Sequence, residues 1–164
     1  NSPYYNNQIE VITNIAKSLP IGYELYVKEH PLMGIHSWRK ISFYQEIEKL
    51  PNVQLIHPSF DTQKILEKCD LVVSIIGSTA LESIFYEKPA IIFAHTSFSD
   101  LPCIFQIKKI HELPNIIKIA LREKVRLNDV TLFLSNILSE SYKSILEFRN
   151  GLHLPSFPAR GCSK

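Results

Sequence analysis

The chain has 164 residues, 45% hydrophobic and 21% charged, enough for one domain with its own core. Lys plus Arg number 18 and Asp plus Glu 16, so the net charge is +2, which speaks against a nucleic-acid partner held by phosphate neutralisation. No apolar run approaches the roughly 20 residues of a membrane-spanning helix, and three scattered cysteines without a CxxC spacing indicate neither a disulfide framework nor a zinc site.

Residues 8–18 place Ile9, Ile12, Ile15 and Ala16 at helical spacing, and Pro20 with Gly22 stops that helix. A strand is predicted over 23–28. Pro31–Lys40 reads as a loop containing Gly34 and Trp38, and 42–49 as a short helix closed by Pro51. A second strand covers 52–57. Asp61 is placed to cap a helix through Lys68, with Ile65 and Leu66 turned inward. The third strand is 71–76, followed by a helix from Thr79 to about Glu87, and the fourth is 89–94. A loop with Ser97, Ser99, Asp100 and Pro102 comes next, and further helices are expected at about 114–124 and 129–148. The segment 151–164 has two prolines, two glycines and no periodicity, and is expected to be a loose tail behind a domain of residues 1–150.

Alternation of helices with apolar strands is the α/β signature, and strands this apolar suit a Rossmann-like parallel sheet covered by helices on both faces. The five glycines form neither GxGxxG nor GxxxxGK[ST], which disfavours a standard dinucleotide fingerprint and a P-loop. A reducing, cytoplasmic setting fits the cysteine usage. Asn1 in place of a methionine, with helix-like sequence close behind, suggests a piece of a longer protein; a trimmed mature N-terminus is the alternative.

Two strand ends carry the residues with chemistry. The first strand runs into Lys28-Glu29-His30-Pro31, an arrangement that presents polar side chains at the carboxyl edge of an open α/β sheet. An imidazole there can donate to a phosphate oxygen or protonate a leaving group. The plain alternatives are an exposed loop histidine and a solvated Lys28–Glu29 pair. The third strand runs into Gly77-Ser78-Thr79 at a helix start, where N–H groups without intrahelical partners and small hydroxyl side chains suit a phosphate. Here the competing reading is a capping box, with Thr79 as cap and Glu82 reaching back to its N–H. His57-Pro58 repeats the first pattern one strand later and reads as a structural or rim residue. His95 and Asp100 follow the fourth strand, in a loop able to contact a base or sugar. His36, His111 and His153 show no metal-ligand spacing.

The ordered series Tyr26-Val27-Lys28-Glu29-His30-Pro31, Pro51 to Pro58, Asp70 to Glu82 and Glu87 to Phe93 resembles the capsule polysaccharide biosynthesis family, over about residues 5–100. That family is similar to GT-B glycosyltransferases, bacterial β-Kdo transferases among them. The resemblance implies one half of a GT-B fold, the C-terminal half that binds a nucleotide-sugar donor. His30 would then contact the donor phosphate and serve catalysis by stabilising the leaving group, with Lys28 beside it. Gly77, Ser78 and Thr79 would also lie at the phosphate, and Glu82 would hold the ribose hydroxyls, to which an ionised carboxylate is a pure acceptor.

The resemblance further implies metal-independent transfer without a cofactor, since no DxD motif is present. The partners it implies are a nucleotide-sugar donor (CMP-Kdo or a UDP-sugar), a glycan or glycolipid acceptor, and an N-terminal domain that this chain has no room for. The expected location is cytoplasmic, with the inner face of the cell membrane as an alternative. A teichoic-acid-type glycerophosphotransferase shares the His-Pro theme but favours an Asp-Tyr-Ser-Ser turn. A non-catalytic module serving polysaccharide export is the third reading.

Overall fold

The computed structural model describes residues 7–30, 39–126, 128, 130–133, 135, 136 and 139. The chain divides into two compact units, Asn1–Leu127 and Asn128–Lys164. In the second unit the described residues are helical, and all but residue 128 lie within the stretch predicted as the helix 129–148. The predicted tail at 151–164 and most of the predicted loop from Pro31 fall outside the described residues, and so does Pro31 itself.

In the first unit, helix α1 (Gln8–Ser18) begins where Asn7 accepts a hydrogen bond from the Glu10 N–H at 3.3 Å. Such a side chain satisfies one of the donors a helix start leaves orphaned. Pro20 cannot continue the helix, and the Tyr23 N–H closes a turn onto the Pro20 carbonyl at 3.2 Å. Gly22 holds the third position of that turn at φ 92°, which a type II turn requires and which a side chain would strain.

Strand β1 (Leu25–Lys28) pairs in parallel with β2 (Val53–Ile56), in register from Leu25 opposite Val53 to Lys28 opposite Ile56. Helix α2 (Ile41–Glu48) lies between them in sequence and packs on β2. After β2, Asp61 caps helix α3 (Thr62–Lys68) by accepting the Gln63 N–H at 2.9 Å, as its position predicts. A second ladder is three-stranded and parallel, with β4 (Ala90–Ile92) between β3 (Val72–Ser74) and β5 (Ile104–Gln106). Helix α5 (Leu113–Ala120) follows β5.

The burial pattern explains why this is an α/β fold. Val11 and Ile15 of α1 meet Ile91, Phe93 and Ile107 together with Leu113, Ile117 and Ala120 of α5 in one apolar cluster. Ala16 of the same helix joins Ile47 and Val53 in a second, and Leu25 packs against both. Successive strand residues face opposite sides, so Ile91 points to α1 and α5 while Ala90 and Ile92 point away. Those two are also fully buried. Their side of the ladder is covered by helix α4 (Thr79–Glu82), which packs on β3 and β4, with α3 against the 3-10 turn that follows α4. Burying an Ile from water contributes about 1.5–3 kcal/mol, and β4 buries each of its residues.

Two details depart from the sequence-based expectation. The helix predicted over 79–87 is a single α-turn, Thr79–Glu82, continued by a 3-10 turn over Ser83–Tyr86. It ends at Glu87, in the left-handed region at φ 57°. The Ser83 hydroxyl, fully buried, lies 3.0 Å from the Ala80 carbonyl and 3.1 Å from that of Lys88, which ties the tightened turn to the entry of β4. Strand β5 was not expected at all. Three residues in the run Cys103-Ile104-Phe105-Gln106-Ile107 are too few to show a period, and the neighbouring Pro102 reads as loop.

Candidate functional site

Because β1 and β2 are parallel and paired, their carboxyl ends share one edge, and His30 and His57 both follow it. Lys28 is the last ladder residue of β1 and is half-buried; His30 is exposed two positions beyond it. His57 is exposed and held by its own turn: the Ser59 N–H points at Nδ1 from 3.2 Å, with the Ser59 hydroxyl 2.7 Å away. Nδ1 therefore accepts, which in the neutral ring leaves the proton on Nε2. That local turn accords with a rim role for His57.

Glu29 is not half of a solvated pair with Lys28. Its two carboxylate oxygens go to different donors: Oε1 to Nε of Arg39, and Oε2 to the Tyr44 hydroxyl at 2.6 Å. Arg39 Nη2 reaches on to Gln8 Oε1 at 2.6 Å, and the guanidinium lies 4.5 Å over the Phe43 ring. Phe43 meets Tyr44 edge-on at 5.4 Å between ring centres. The Glu29 side chain keeps only 12% of its exposure and that of Arg39 27%, so the charges are partly withdrawn from water. The hydroxyl's bond to Glu29, with burial and the carboxylate charge adding, holds the Tyr44 phenol above its ordinary 10.0. Sequence reasoning missed this cluster. Ten positions separate Glu29 from Arg39, and only the four-residue spacing of Arg39 and Phe43 leading into α2 hints at part of it.

The second ladder releases the other candidates. Gly77 stands three residues beyond β3, and a methyl at its Cα would meet the Ser74 hydroxyl oxygen. A side chain here would require the Ser74 hydroxyl to turn away. Ser78, not Thr79, is the residue preceding α4, and the expected capping box does not form. At φ −58° and ψ −24°, Ser78 already has helical backbone, unlike a capping residue in the extended region. Its hydroxyl instead donates to Glu82 Oε1 at 2.8 Å, one turn on. Glu82 thus partners the Ser78 side chain and not the Thr79 N–H.

The first hydrogen-bonded donors of the turn are Ala80, onto the Gly77 carbonyl at 3.2 Å, and Leu81 and Glu82, both onto Ser78 at 2.8 Å. The N–H groups of Gly77, Ser78 and Thr79 precede that turn. One α-turn sums few aligned peptides, so its dipole falls well short of a long helix's. Any anion here would depend on the local donors. His95 is exposed beyond β4, and Asp100 is exposed in the turns before β5, whose start lies beside the start of β4. In their loop the Ser99 hydroxyl accepts the Thr96 N–H at 2.7 Å.

The structure therefore brings Ser78 and Glu82 together, parts Glu29 from Lys28, and sets Lys28 and His30 at the edge shared by β1 and β2. Among the described residues no group of three or more His, Cys, Asp and Glu side chains could hold a metal ion, and no helix is long and apolar enough to cross a membrane. Neither a curated protein nor a solved structure matches the chain. A family model does, described as polysaccharide biosynthesis PFTS motif protein, over residues 2–110. That span holds both ladders and each candidate residue from Lys28 to Asp100. With more than half its length matched, the chain belongs to the PFTS motif family of polysaccharide biosynthesis proteins.

Proposed function

We propose that the chain is the donor-binding domain of a glycosyltransferase acting in capsular or other surface polysaccharide synthesis, and that it binds the nucleotide of a nucleotide-sugar. The observation that carries this reading is the Ser78–Glu82 pair at the exit of a parallel ladder, inside a span matched to polysaccharide biosynthesis. Open α/β sheets take ligands at the carboxyl ends of their strands. A carboxylate able to accept from a ribose diol, next to a small hydroxyl and three N–H groups that precede the first bonded turn, is suited to a ribose and a phosphate.

In this reading His30 and Lys28 form the other wall. When an acceptor hydroxyl attacks the anomeric carbon, the bond to the nucleotide phosphate breaks and its electron pair leaves with the phosphate oxygen. Lys28 and the His30 ring N–H offset that developing charge, as do the N–H groups of residues 77–79. The acceptor and the group that takes its proton come from a second, N-terminal GT-B domain, and the transfer needs no metal. CMP and UDP are the donor nucleotides to examine first, CMP-Kdo being the donor suggested by the resemblance.

Titration of CMP and UDP into the parent chain and into His30→Ala, followed by thermal shift and by NMR, tests the reading. A parent chain that binds either nucleotide at millimolar concentration, with His30→Ala several-fold weaker, supports it. Equal binding by the two removes His30 from the phosphate. No binding by the parent favours a non-catalytic module in polysaccharide export.

A further inference from the structure

Strand β1 makes its last ladder pair at Lys28, two residues before His30. One hold on the chain there is the side chain of Glu29. It is gripped from two directions, by Arg39 on the far side of residues 31–38 and by Tyr44 on helix α2. Arg39 is itself held by Gln8 at the start of α1 and by the face of Phe43. Residues of α1 and α2 and Arg39 are thus linked, directly or through Arg39, to the residue that immediately precedes His30. A surface ion pair left in water would be worth little. This one differs in that Glu29 is mostly covered, both of its oxygens are used, and the guanidinium is engaged through Nε, Nη2 and its π-face.

We propose that Glu29, Arg39 and Tyr44 are positioning residues: a clasp that fixes where His30 stands and so pre-organises it for the phosphate of a nucleotide ligand. The second half of this statement rests on the donor-site reading above; the first half does not. The clasp joins residue 29 to residue 39 and to α2 and orients the backbone at residue 29. A loosened clasp lets the imidazole sample other positions, and the ligand must then meet the ordering cost. Lysine in place of Arg39 fails to restore it, because an ammonium cannot bond Glu29 and Gln8 in a fixed fork while stacking on Phe43.

The test uses the whole 164-residue chain, with Tyr44→Phe, Glu29→Gln and Arg39→Lys. Tyr44→Phe deletes one hydroxyl and keeps the ring against Phe43, so it is the variant that retains the fold; thermal melts verify each. Two quantities are read: the His30 ring resonances without ligand, and CMP or UDP affinity by calorimetry, alone and combined with His30→Ala. The clasp predicts shifted His30 resonances in all three variants. It also predicts an affinity three- to tenfold weaker, with no further loss once His30 is alanine. A role confined to fold stability would instead give losses that add to those of His30→Ala. Unmoved His30 resonances in both Tyr44→Phe and Glu29→Gln overturn the clasp, whatever the chain binds. Moved resonances in the variants, with a parent that binds neither nucleotide, keep the clasp and overturn the donor-site reading.

Discussion

The Ser78 hydroxyl donates its single proton to Glu82 Oε1 at 2.8 Å, across one helical turn. A hydroxyl has one proton to give. While Glu82 takes it, Ser78 cannot also donate to a phosphate, and Glu82 has one oxygen less for a diol. In the proposed site a nucleotide would make the pair exchange partners, the proton turning to the phosphate and the carboxylate to the ribose.

Glu82→Ala is expected to separate the two halves of a nucleotide. Affinity for CMP or UDP falls about tenfold, the effect of roughly 1.5 kcal/mol for a hydrogen bond to a charged acceptor. Affinity for inorganic diphosphate, which has no ribose, holds or rises, because the Ser78 proton is released and a negative charge is gone. Parallel calorimetric titrations check this. Equal losses for both ligands would mean that Glu82 serves the turn and not a ribose.

Gly77→Ala is expected to destabilise the fold through one contact, since its new methyl collides with the Ser74 hydroxyl oxygen. Because that oxygen ends a rotatable side chain, the cost is about 1 kcal/mol, the low end for overpacking, or a melting temperature lower by about 2–4 °C in a domain of this size. Adding Ser74→Ala removes the obstruction and should recover most of the loss. A double variant no more stable than Gly77→Ala would assign the glycine to backbone conformation instead.

Stability is expected to fall on the alkaline side. Burial pushes the Cys69 and Cys103 thiols above their ordinary 9.0. Hydrogen bonds to Glu24 and Glu29 likewise raise the Tyr26 and Tyr44 phenols above 10.0. The folded state then keeps protons that the unfolded chain releases, so what these groups contribute is complete below about pH 9 and is lost as pH rises through the folded values. Urea midpoints between about pH 8.5 and 10.5 should decline, and Tyr44→Phe should flatten the part above about pH 10. A flat or rising midpoint would contradict these environments.

Much of this was legible in the sequence where a local signal existed. Asn52 to His57 reads as a strand because apolar residues lie between a proline and a histidine-proline, and Val53–Ile56 is that strand. Asp61 reads as a cap and is one. The fate of Thr79 to Glu82 was not legible. The four residues satisfy the capping-box pattern, but the helix begins one residue after Ser78, whose helical backbone turns its hydroxyl to Glu82 so that its side chain makes no cap. Nor was the partner of Glu29, since Arg39 reaches it across ten positions that carry no periodicity linking them. Local physics announces itself in sequence, whereas a contact set by how strand, loop and helix come together does not.

The central claim, that the exits of β1 and β3 serve one nucleotide site, is met most directly by amide chemical-shift mapping of the 15N-labelled chain during titration with CMP and with UDP. A shared site moves His30 and the amides of Gly77, Ser78, Thr79 and Glu82 together along a single binding curve. Shifts confined to one of the two strand exits, or none at millimolar nucleotide, would contradict it.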